Sequence, residues 1–190
     1  MFNCLIFRTF ASSRFTAQLG SRNFLTGQQI FSGEATKQDN KQHRKLKIRM
    51  MKKLAEILNG TGCSLVVEKD GETTTYDKKG VRDLIWLLDN EPSRLQGART
   101  ADKVVGKAAA GLMVQGGVRE VYAEVISQQA LPLFDEAGIP YTYGTLVDHI
   151  AAPEDGRCPL ERIVAHATTA QEVETALRQH FEEMRLRQTS

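Results

Sequence analysis

Cys158 stands before Pro159 and shortly before Glu161, in a segment that reads as a helix start. The unpaired amides and the dipole at such a start favour a thiolate, so Cys158 is the best single nucleophile candidate in the chain. Its plainer reading is a small residue that fits before a proline at the first helical position. Glu161 suits either a ligand contact or a carboxylate that reaches back to cap that helix. Lys103 and Lys107 lie in an otherwise apolar stretch. Their stems can pack while the ammonium groups reach water, or one lysine can face a cleft to bind an anion or act as a nucleophile. Asp102 is then a counter-ion, or only an acid that complements a helix dipole. Ser127 ends an apolar strand and opens a helix, which makes it a cap or part of an anion site. His149 and His166 have no metal-type spacing, and no Lys-Ser/Thr follows Gly116-Gly117 to make a phosphate loop.

These groups need a scaffold, and the sequence outlines one. Leu54, Ile57 and Leu58 share one face of a short helix, with Gly60 as its stop. Cys63 to Glu68 and Glu72 to Tyr76 form a hairpin about Asp70-Gly71. Val81, Leu84, Ile85, Leu87 and Leu88 outline a second helix, with Trp86 expected in the core or at its edge, and Pro92 closing the region. A third helix is expected from Thr100 as N-cap, with Asp102 in its first turn. Its body, Val104 to Val114, is apolar almost all round, so it should be buried on most sides. Gly106, Ala109, Ala110 and Gly111 would let another backbone approach it closely. Val118 to Ile126 reads as an interior strand, Ser127 as cap of a helix over 128–137, and Ile139 to Val147 as a further strand. After a loop over 151–157 and the Pro159 helix, Thr169 and Glu172 form a capping box for the last helix. A hairpin followed by strand–helix alternation indicates a mixed sheet with helices on both faces.

The chain has 190 residues, 41% hydrophobic and 25% charged, as expected of one soluble domain with extras. Its net charge of +2 is too small to argue for nucleic acid, and no basic face with interleaved aromatics is visible in the sequence. Three cysteines, widely spaced, fit free thiols in a reducing compartment. No apolar run is long enough for a bilayer. Residues 1–49 read as a disordered leader. Arg8, Arg14 and Arg22 among Ser, Thr and Phe, with no acid up to residue 33, have the composition of a mitochondrial targeting peptide. The alternative is that translation starts at Met50 or Met51, and a cytoplasmic location follows. The domain is expected over 50–167, with 168–190 as a C-terminal helix packed on it or extending from it.

Ala101-Asp102-Lys103-Val104-Val105-Gly106-Lys107-Ala108-Ala109-Ala110, then Gly116-Gly117-Val118, Glu120-Val121-Tyr122-Ala123 and Val125-Ile126-Ser127, resemble a known family. Cys158-Pro159-Leu160-Glu161 fits it too. The family is the largely prokaryotic domain of unknown function 1893, within the cytidine-deaminase-like superfamily, and the resemblance covers about 51–165. It implies a three-layer α/β/α sandwich with a mixed sheet of four to five strands. It does not imply the usual chemistry. A zinc deaminase needs a His or Cys ligand with a Glu two residues on, then Pro-Cys-x-x-Cys. Element order puts the first motif at Val105 to Lys107, where no ligand stands and a lysine replaces the acid. The second falls at Ser127 to Leu131, which has no cysteine, and Cys158 comes too late. No metal or other cofactor is therefore expected.

Three functions remain. The first is a zinc-free domain that binds a nucleotide-like or other anionic small molecule in the deaminase-type cleft, through Asp102, Lys103, Lys107, Ser127 and Glu161. The second is a metal-free enzyme that uses Cys158 or Lys107 covalently. The third is an interaction module, a homodimer through the small-residue helix.

Overall fold

Hairpin chemistry starts the sheet. In the computed structural model, which describes residues 34–152 and 156–188, Asp70 (φ 53°) and Gly71 (φ 86°) both take positive φ. That is the demand of the tight turn that matches strand twist. They join β1 (Leu65–Lys69) to β2 (Glu72–Tyr76), paired antiparallel from Leu65↔Tyr76 to Lys69↔Glu72. β3 (Arg99–Val105) pairs antiparallel with β1, and β4 (Glu120–Ser127) and β5 (Tyr141–Val147) add parallel to it. The result is one mixed five-stranded sheet in the order β2-β1-β3-β4-β5.

Two apolar clusters sandwich this sheet. On one side α1 (Glu34–Thr61) lays Met51, Leu54 and Leu58 over Val66 and Ala101. On the other, Leu65, Val67, Val121 and Ala123 meet α2 (Arg82–Asn90), α4 (Lys107–Gln115) and α5 (Leu131–Ala137). The short helices α3 (Pro92–Leu95) and α6 (Pro159–Ile163) and the long α7 (Ala170–Gln188) complete that layer. Side chains in β1 alternate between the clusters, as the two-residue period of a strand requires. No helix among the described residues is long and apolar enough to cross a membrane.

The structure corrects the sequence reading in several places. Residues 99–105 form a strand, not the start of a helix. Thr100, Val104 and Val105 are β-branched, and β1 and β4 flank the segment on both edges, so pairing on two sides outweighs the resemblance to a helix cap. Thr100 is therefore no N-cap, and its hydroxyl faces Met113 Sδ at 3.8 Å. Asp102 and Lys103 lie within the strand, and Lys107 opens the helix that follows it. Trp86 is not core, being 38% exposed. The helix expected to begin after residue 50 runs unbroken from Glu34, and Lys47 Nζ reaches Glu120 at 3.5 Å. The arginines that suggested targeting, together with Cys4, lie outside the described residues.

α4 is buried within its own chain. α7 makes the close approach that its small residues allow, with Val173 and Leu177 fully buried. A Cβ on Gly111 would meet Val173 Cγ1 at 2.4 Å. The small-residue face of α4 at Gly111 thus packs on α7.

Alternation slips by one in the middle of the sheet. Asp102, on the side of α2, and Val105, in the same helical-side core, lie three positions apart. Ala123 and Ile126 of β4 do likewise. The shift turns Val105 and Ile126 into the core.

Candidate functional site

The C-terminal ends of β3, β4 and β5 lie near three of the six nominated residues, Ser127, Cys158 and Glu161. Val105 pairs with Ile126 in register, so the next positions, Gly106 and Ser127, lie side by side. Ser127 pairs in turn with Val147 of β5. In an α/β sheet this carboxyl edge is where ligands are usually held.

Ile150, just beyond β5, ties the edge to α6. Its N–H donates to Glu161 Oε2 at 2.9 Å, and its carbonyl accepts from the Cys158 N–H at 2.8 Å. The Ile150 side chain and Glu161 then close over Gly106. A Cβ there would lie 2.9 Å from Glu161 Oε1 and 3.1 Å from Ile150 Cγ1. Gly106 has extended backbone, φ −91° and ψ −179°, so close approach and not torsion makes glycine the residue that fits.

Two polar atoms at this edge are buried and lack a hydrogen-bond partner among the described residues, Ser127 Oγ and Glu161 Oε1. Ser127 is fully buried and Glu161 is 4% exposed. Buried polar atoms are normally satisfied, and an orphan costs about 1–3 kcal/mol, so two at one edge call for a physical reason. Ser127 was expected to cap the following helix. It does not, because that helix starts at Leu131 with Ala130 in the cap position and no side-chain cap. Glu161, read as a ligand contact or a cap of its own helix, accepts from the Ile150 amide through Oε2.

The other nominated residues are placed differently. Lys107 opens α4, but its Nζ donates to the Ala165 carbonyl at 2.9 Å, toward the α6–α7 connection. Lys103 Nζ donates to the Gly62 carbonyl at 3.1 Å. Asp102 forms no ion pair with either lysine among the described residues. It is buried, and burial above all lifts its carboxyl to a pKa of about 7, helped by the nearby Asp83 charge and opposed by a hydrogen bond from the Val104 N–H. Cys158 is half-buried at the N-cap of α6, a helix of 5 residues, and its side chain makes no cap bond. Among the described residues no three His, Cys, Asp or Glu side chains stand together as a metal set.

Glu161 and Cys158 are thus joined through Ile150, Ser127 ends the neighbouring strand, and Lys103 is directed elsewhere. Lys107 is beside this edge but directed away, and Asp102 lies further back in β3. Sequence reasoning named Gly106 as a point of close approach for a backbone, not for the Glu161 and Ile150 side chains that close over it, and missed Ile150 as the residue held at both backbone groups. A glycine between a β-branched pair and a lysine-led alanine run was the available signal for the first. Nothing in the sequence marked the second.

Residues 53–181 match a family model described as a domain of unknown function, DUF1893. The structure is similar to a DUF1893 family protein of Thermotoga maritima, with TM-score 0.63 and 23% identity, over 70% of this chain and 90% of that one. A slighter likeness, TM-score 0.36 and 16% identity, links 50% of the chain to 34% of RibD of Acinetobacter baumannii. No curated protein matches the chain.

Proposed function

This chain belongs to the DUF1893 family, and on that premise we propose that it binds a small molecule at the carboxyl edge of its parallel strands, without zinc. The carrying observation is the pair of buried, unpartnered polar atoms, Ser127 Oγ and Glu161 Oε1, beside Gly106. A carboxylate oxygen accepts, and a hydroxyl both donates and accepts. Together they suit a ligand that presents an N–H or O–H next to an acceptor, as the polar edge of a nucleobase-like heterocycle does. The lysines that favoured an anionic ligand donate to backbone carbonyls elsewhere. The reading accordingly narrows from an anion to a neutral, donor-bearing group. Cys158 stands at the rim of this edge through its link to Ile150.

Mass spectrometry of the full chain, native and then denaturing, tests this reading. An excess mass of heterocycle size, present in the native spectrum and lost on denaturing, is expected. Glu161→Gln and Ser127→Ala should each reduce its occupancy. A bare chain from every source of expression, or an excess indifferent to both substitutions, would remove the basis for this site. A covalent excess at Cys158 would favour the metal-free enzyme instead.

A further inference from the structure

α2 and α7 face one another across a groove that lies apart from the strand edge. Arg82, Ile85 and Trp86 recur on α2 at the spacing of one helical face, and Phe181, Glu182 and Arg185 do so on α7. The cavity between them holds about 620 Å³, within the general span of roughly 300–1,000 Å³ for small-molecule sites. One ion pair, Arg178 to Asp89 at 2.7 Å, pins the two helices. The groove wall carries an indole that the core does not use, since Trp86 is 38% exposed.

Charge gives the groove its selectivity. Lys78, Arg82, Arg178 and Arg185 line it against two acids, Asp89 and Glu182. Both acids already meet arginines, Asp89 with Arg178 and Glu182 with Arg185, each at 2.7 Å. Lys78 Nζ sits 5.6 Å from the centroid of the Trp86 ring. Lys78 Nζ also stands 3.8 Å from the buried Asp83 carboxylate, and Arg178 is shared with Glu174 at 2.7 Å. Arg82 is thus the lining cation without an acid partner among the described residues, beside an exposed aromatic face, with Ile85 and Phe181 supplying apolar surface. An aromatic ring gains by stacking on indole, and guanidinium and ammonium groups recognise phosphate.

We propose that this groove is a binding site for a planar aromatic anion of nucleotide size. Its ring stacks on Trp86, and its phosphates take Arg82 and Lys78. The site is independent of the one at the strand edge, and neither requires the other.

Trp86 is the single tryptophan of the chain, so intrinsic fluorescence reports on this groove. Titration of the full chain with ATP should give saturable quenching. Arg82→Gln should weaken it roughly tenfold, the size of one lost charged hydrogen bond. Adenosine and tripolyphosphate should each bind more weakly than ATP. Glu161→Gln should leave the titration unchanged, which separates this site from the one proposed above. Trp86→Leu, followed by calorimetry with its fold checked by circular dichroism, should abolish the heat of ATP binding. Non-saturating quenching, indifference to Arg82→Gln, or tripolyphosphate binding as tightly as ATP would overturn the proposal. Polyglutamate binding more tightly than ATP would also overturn it, in favour of an acidic protein segment.

Discussion

Asp102 Oδ1 accepts a hydrogen bond at 2.9 Å from the backbone N–H of Val104, two residues along its own strand. The bond sits where the alternation of β3 slips, and it leaves a carboxyl among the apolar side chains that α2 and α4 lay on the sheet. Burial raises its pKa from 3.8 to about 7. Between those values the folded state holds a proton that the unfolded state has released. Stability therefore falls as pH rises from about 4 to about 7, and the penalty is fully present above that window. Asp102→Asn keeps an acceptor for the Val104 N–H and removes the charge. It should stabilise the protein at about pH 8 by as much as ~4 kcal/mol, and by little near pH 4. Urea unfolding of both proteins across this range checks it. An equal effect at both ends would mean that Asp102 does not titrate there.

The same residue shows how far the sequence could be read. Asp102 was recognised as a notable acid, but as a helix-start residue. Thr100, Asp102 and the apolar run through Val114 mimic a capped helix, and periodicity alone cannot divide a buried strand from a buried helix. The division falls at Gly106, and the pairing partners that enforce it come from Leu65 and Val125, far off in the chain. Local signals were legible where they are sufficient. Asp70-Gly71 turns the hairpin, and Thr169 with Glu172 forms the expected reciprocal cap, Glu172 N–H to Thr169 Oγ1 at 3.2 Å and Thr169 N–H to Glu172 Oε2 at 3.3 Å. The direction of Lys107 was not legible, because its acceptor at Ala165 is set by how α6 and α7 pack. Trp86 was placed in the core or at its edge. Its exposure depends on where α7 lies.

Gly111 should resist substitution for a reason that lies on α7. Gly111→Ala gains helix propensity, up to about 1 kcal/mol. Its Cβ would meet Val173 at 2.4 Å, however, in a helix contact with no free space. Overpacking of this kind costs about 1–3 kcal/mol, so a net loss is expected. Val173→Ala should ease the clash in part, because it removes the methyls at 2.4 and 3.1 Å and leaves the Cβ at 2.6 Å. The double variant should therefore be more stable than the two single losses predict. Denaturant unfolding of all four proteins gives the coupling, and strict additivity would show that α7 does not press on Gly111.

Gly106→Ala tests the strand edge without straining the backbone. Alanine adopts φ −91° and ψ −179° freely. Its methyl would displace Glu161 Oε1 or Ile150, both within about 3.1 Å of the added carbon. Destabilisation of about 1–3 kcal/mol is expected. The Ile150 amide should also exchange its hydrogen faster than in the parent, because its bond to Glu161 loosens. Unchanged exchange at Ile150 would show that the edge yields elsewhere and that Glu161 is not held by this contact.

Ser127→Ala separates stability from binding at the same edge. In a protein whose Ser127 hydroxyl is buried and unpartnered, removal of the oxygen deletes an unpaid desolvation cost. Alanine also fits the space with no new atom. The ligand-free variant should therefore be as stable as the parent or more so, by up to about 1 kcal/mol. Occupancy of the bound molecule should fall at the same time, because the hydroxyl is one of the two groups proposed to meet it. Loss of binding with gain of stability is the pattern of a residue kept for a site at the expense of the fold. Denaturant unfolding of stripped protein measures the first quantity, and native mass spectrometry the second. If Ser127→Ala instead lowers the stability of the stripped protein, the hydroxyl is satisfied within the fold, and the case for a ligand at Ser127 fails with it.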